Sequence, residues 1–68
     1  MAQFKTTKDF AGEYVVTMKG SERKVDISYH DSFKGWIASA RWDNRLYTDV
    51  LWTKRDAVHN AHLMLQNS

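Results

Sequence analysis

The stretch GWIASARWDNRLYTDVLW, residues 35–52, holds all three tryptophans of this 68-residue chain. Two alanines, Ala38 and Ala40, stand between Trp36 and Trp42, where a strand ordinarily carries larger side chains. Asp43-Asn44-Arg45 is turn chemistry, so the stretch reads as two strands folded on each other. The length of the turn decides the faces, because directly opposed residues share a side of the sheet and a one-residue slip inverts every side chain. A two-residue turn opposes Trp42 to Arg45 and scatters the apolar set over both faces. A three-residue turn opposes Trp42 to Leu46, Ala40 to Thr48, Ala38 to Val50 and Trp36 to Trp52, which collects the large side chains on one face. The expectation is therefore the odd-length loop, with Asn44 or Arg45 left-handed.

Upstream, the same period of two continues. Tyr14, Val16 and Met18 alternate with Glu13, Val15, Thr17 and Lys19, and Val25, Ile27 and Tyr29 alternate with Lys24, Asp26, Ser28 and His30. Lys19-Gly20-Ser21-Glu22 is a turn, and His30 to Gly35 reads as a loop with Phe33 folded back. Residues 1–12 lack a clean period; Phe4 and Phe10 are expected to dock them on the core as a short strand or a helical turn. Downstream, the period changes at Thr53. Thr53 suits an N-cap and Asp56 the N3 position, with acid favoured in the first turn. Ala57, Val58, Ala61, Met64 and Leu65 then fall within an arc of about 120° at helical spacing, opposite Arg55, His59, His62 and Gln66. Small residues facing small residues mean close approach, so Ala38 and Ala40 fit under Ala57 and Ala61, with Trp36, Trp42 and Trp52 as walls. The predicted fold is α+β: one domain, with an N-terminal segment (1–12), a four-stranded antiparallel meander (13–52) and one C-terminal helix (53–66) packed on its inner face.

Composition bounds the function. Ten Lys plus Arg oppose eight Asp plus Glu, and there is no Cys. Disulfides and thiolate metal sites are thus excluded, and the charge is too well mixed for a nucleic-acid-binding tail. No apolar run reaches membrane-spanning length and no secretory segment follows Met1, so a soluble, cytoplasmic protein without a membrane role is expected. Three widely spaced glycines form no phosphate loop. His30 and Asp31 are adjacent on a strand and point to opposite faces, which does not make a catalytic pair. His59 and His62, three apart, fall short of the roughly four ligands of a closed metal site. The chain is read as a non-enzyme with neither cofactor nor metal.

One helix covers one face of a sheet, so the other face is expected to be open. The expected registers place on it Ile37 opposite Leu51, Ser39 opposite Asp49 and Arg41 opposite Tyr47. From the first hairpin they add Lys19 opposite Lys24, Thr17 opposite Asp26, Val15 opposite Ser28 and Glu13 opposite His30. Scattered apolar residues on such a face need no function. Tyr and Arg among apolar area are nevertheless what contact surfaces enrich. Ile37, Arg41, Tyr47, Leu51, Lys19 and Lys24 are therefore the candidate binding residues. A protein partner is favoured, with the chain a monomer or a homodimer. Nucleic acid is the alternative on the same face: Lys34, Arg41, Arg45, Lys54 and Arg55 are locally basic, and Lys19 beside Lys24 would welcome a phosphate. Asp26 and Asp49 on that face oppose it.

Gly35-Trp36 opening a strand, followed by Thr53-Lys54 and Ala57 opening the helix, resembles the integrase arm-binding and plant AP2-type DNA-binding domains over residues 35–65. The resemblance implies a sheet inserted in the major groove, read by Arg41 with Tyr47 and Lys24. The chain departs from those families in its fourth strand and the acids on the reading face. As a whole it looks similar to free-standing small inhibitors and adaptors of phages and mobile elements, an analogy of size and fold.

Overall fold

Four strands lie side by side in chain order in one antiparallel sheet: β1 (Phe4–Lys8), β2 (Tyr14–Met18), β3 (Lys24–His30) and β4 (Gly35–Ala40). One helix, α1 (Lys54–Gln66), comes after them in the chain and packs across β2, β3 and β4. This computed structural model describes residues 3–9 and 12–68; the docking expected of Phe10 lies outside them. The α+β plan of four antiparallel strands and one C-terminal helix is as the sequence predicts. The membership of the sheet is not.

The first strand is Phe4–Lys8, so of the two expectations for residues 1–12 the short strand holds; Thr6 and Thr7 suit either face and blur its alternation. Phe4 opposes Met18 and joins the core, while Lys5 opposes Thr17 and Thr7 opposes Val15 on the other side. β2 and β3 pair two residues out of the expected register, with Thr17 opposite Lys24, Val15 opposite Asp26 and Tyr14 opposite Ile27. The turn is longer than its glycine suggested: Gly20 is left-handed, the Ser21 N–H bonds the Met18 carbonyl, and Ser21 Oγ accepts from the Arg23 N–H. An even shift keeps every side chain on its predicted face. It also sets Val16 against Val25 in the core.

Residues 46–52 do not make the expected strand. They run beside β4 as a strap held by two isolated bridges, Ser39 with Tyr47 and Trp36 with Leu51. The strap uses one more residue than β4 between those bridges, which is a bulge, and a bulge re-aims the side chains beyond it. Leu51 consequently turns inward opposite Trp36 and packs on the core, and Trp52 swings outward to 81% exposure. Trp36 and Trp42 do flank the core as predicted; Trp52 does not. At the bulge the Ala38 N–H bonds Thr48 Oγ1 at 3.1 Å, and the Thr48 N–H returns to the Ala38 carbonyl at 2.9 Å. The preceding turn closes through the Leu46 N–H to the Asp43 carbonyl, with the Asp43 carboxylate accepting from the Arg45 N–H. That side-chain cap replaces a left-handed residue, so neither Asn44 nor Arg45 has positive φ.

Gly35 is what lets the strap close. A Cβ there would run into Val50 Cγ1 and stand 2.8 Å from the Leu51 carbonyl oxygen. Under the sheet, Val16, Val25, Ile27, Ala38, Ala57, Ala61 and Leu65 form the buried core. The alanines of β4 and α1 are all buried, as close approach of helix and sheet requires. Thr53 caps the helix, its Oγ1 accepting from the Asp56 N–H at 3.1 Å.

Candidate interaction surface

The face of the sheet away from the helix carries Val15, Thr17, Lys24, Asp26, Ser28, Ile37 and Ser39, read from the register of the buried residues on the other side. Its centre is an ion pair. The Arg41 guanidinium meets Asp26 in a fork, Nε to Oδ2 at 2.8 Å and Nη2 to Oδ1 at 2.8 Å. Such bidentate geometry is the strong form of the contact. Hydrogen bonding to Asp26, then its charge, hold Arg41 above its ordinary pKa, with smaller help from the charges of Asp9 and Glu13. The arginine is thus neutralised locally while half its side chain stays exposed.

Of the predicted site residues, Ile37, Arg41, Tyr47 and Lys24 do share this face, in altered order. Tyr47 opposes Ser39, not Arg41, and stands 64% exposed beside it. Ile37 opposes Ser28 and is half-buried. Leu51 leaves the set, since the bulge turns it into the core opposite Trp36. Lys19 and Lys24 are not cross-strand neighbours: Lys24 opposes Thr17, and the Lys19 N–H bonds the Gln3 carbonyl. Asp26 faces Val15 and Ser39 in place of Thr17.

Sequence reasoning missed the strap itself. Leu46, Tyr47, Val50 and Trp52 are all exposed large apolar residues, and all belong to this one segment. Tyr29 and Phe33 add exposed rings near the β3–β4 turn, where Phe33 reaches only the His30 ring at 5.9 Å. No local pattern marked it, because one extra residue between Tyr47 and Leu51 sets the bulge. It also missed two histidine contacts. His62 is half-buried, its ring stacked on Phe4 at 3.9 Å, so it does not share a solvent face with His59. Burial first, and His59 second, lower its pKa. His30 Nε2 lies 3.0 Å from Ser28 Oγ on the open face.

Two grooves border this geometry. One, of about 490 Å³, runs between the Trp42–Leu46 turn and the end of α1, with Leu63 and Met64 in its wall and the Arg23 guanidinium over the Trp42 ring at 5.1 Å. The other, of about 340 Å³, opens beside Phe4, Lys5 and Lys19. No cluster of three or more potential metal ligands occurs among the described residues, and no described helix is long and apolar enough to cross a membrane. No family model, curated protein or solved structure matches the chain.

Proposed function

We propose that the chain is a non-catalytic protein-interaction module of the cytoplasm, an inhibitor or adaptor in kind, that docks a protein partner on its strap and the adjoining open sheet face. The observation that carries this reading is the concentration of exposed apolar side chains, Leu46, Tyr47, Val50 and Trp52, on one short segment. Solitary apolar residues on a surface need no explanation; a run of them with two aromatics is what interface cores look like. Ile37 and the neutralised Arg41–Asp26 pair extend the same surface with polar rim chemistry.

Duplex DNA on this face, as the likeness to arm-binding domains implies, has less support. Arg41 would have to leave a bidentate carboxylate to reach a base or phosphate. The two readings separate in one assay. Binding of random duplex DNA that falls by orders of magnitude between about 50 and 200 mM salt supports DNA. For the protein partner, a photo-reactive residue at Tyr47 or Trp52 should give a discrete adduct in cells, and one at Gln66 should not. Equal labelling from all three positions, or none from Tyr47 and Trp52, rejects this placement.

A further inference from the structure

We infer that the free edge of β1 accepts an extended strand from a partner protein, one whose residues alternate acidic and apolar. The inference is independent of the strap surface, which lies at the opposite edge of the sheet.

Backbone direction leaves half of the polar groups of β1 facing away from the sheet. The Lys19 N–H bonds the Gln3 carbonyl and the Asp9 N–H bonds the Glu13 carbonyl, so odd-numbered residues of this segment turn toward β2. In an antiparallel pair the groups of the intervening residues point the other way. Phe4, Thr6 and Lys8 therefore direct N–H and C=O outward along the edge. No described residue outside the sheet takes the Phe4 or Thr6 groups. A row of such groups is a template for another strand.

Positive charge gathers at this edge. Lys5 opposes Thr17, which opposes Lys24, so both lysines lie on the open face at this end. Lys19 lies opposite Gln3 on the same side and lines the adjoining groove with Lys5. None of the three is ion-paired among the described residues; Asp26, an acid of the same face, is held by Arg41. These lysines disfavour self-pairing, because two copies joined at β1 would stack like charges. The same charge selects an acidic partner.

The opposite face offers an apolar contact at Phe4. Phe4 sits on the helix-facing side, half-buried against His62 and the core. An apolar residue on an incoming strand would extend that core over Phe4, while its neighbours meet Lys5. Alternation of the partner is a consequence of the pleat.

The test uses the full chain, isotope-labelled, with a capped peptide of about ten residues alternating Glu and Val at neutral pH. Amides of Phe4, Thr6 and Lys8 should become protected from exchange on binding, those of the strap should not change, and the matching Lys–Val peptide should give no protection. Lys5→Glu should weaken the acidic peptide by about tenfold at low salt. Thr6→Pro should abolish binding while leaving the β1–β2 ladder intact, because the Thr6 N–H faces outward. Three results overturn the proposal: protection elsewhere, equal binding of both peptides, or concentration-dependent pairing of the chain with itself through β1. No protection at millimolar peptide overturns it as well.

Discussion

The two edges of the sheet solve the same problem by different means. Each strand at the rim of a sheet presents unpaired backbone groups that other chains can capture. At β4 the chain covers its own edge: the strap satisfies Trp36, Ala38 and Ala40 N–H groups through Leu51, Thr48 and Leu46. At β1 there is no cover among the described residues, only Lys5 and Lys8 with two threonines between them. The covering strap turns only Leu51 inward and leaves Leu46, Tyr47, Val50 and Trp52 exposed, whereas the bare edge exposes its lysines. A closed edge thus becomes a surface for side-chain docking and an open edge remains a surface for backbone docking.

Gly35→Ala should disturb the covered edge most. A Cβ at Gly35 meets the strap at Val50 and Leu51, so the strap must lift or β4 must shift. We expect a loss of about 2–3 kcal/mol in urea unfolding, the upper part of the range for overpacked sites, with Trp36 and Leu51 amides losing protection. Phe4→Ala is the counterpart at the other edge. It removes a half-buried ring and its stack on His62, at a cost of about 1–2 kcal/mol, and should speed exchange at Lys5 and Thr7 without touching the strap.

A pH titration sharpens the contrast without mutation. His62 has a folded pKa below its ordinary value, because burial penalises the charged ring. The unfolded chain therefore takes up the proton first. Stability is complete above the unfolded value of about 6.5 and declines as pH falls below it. Exchange at β1 should respond in that window, and His62→Phe should remove the dependence. The smallest effect belongs to the open face: Arg41→Lys gives up the fork to Asp26, and a half-exposed pair contributes only a few tenths of a kcal/mol. Its loss should vanish in high salt, as measured by the unfolding midpoint.

Much of this was legible in the residues. The alternation of β2 and β3, the Thr53 cap and the helical arc of Ala57, Ala61 and Leu65 each rest on local rules, and each is observed. The small alanines of β4 announced the close helix. What could not be read was register, since a single extra residue between Tyr47 and Leu51 reverses the fates of Leu51 and Trp52. Hairpin logic maximised burial of tryptophans and so placed Trp52 inside. Thr48 decided otherwise, supplying a side-chain acceptor where a ladder would have used a carbonyl. β1 was legible only as one of two alternatives, a short strand or a helical turn, because Thr-Thr carries no period. Arg41 and Tyr47 were placed on the correct face, but the bidentate hold of Asp26 depends on the pairing of β3 with β4, which sets Asp26 opposite Ser39 and for which the sequence offered no register.

Amide hydrogen exchange of the free chain tests the unlike edges most directly. The account predicts slow exchange at Trp36, Ala38, Ala40 and Leu51 beside rapid exchange at Phe4, Thr6 and Lys8, with the Lys5 and Thr7 amides slower than their neighbours. Rapid exchange along the strap-facing amides of β4, or protection of Phe4, Thr6 and Lys8 in the absence of any partner, would contradict it.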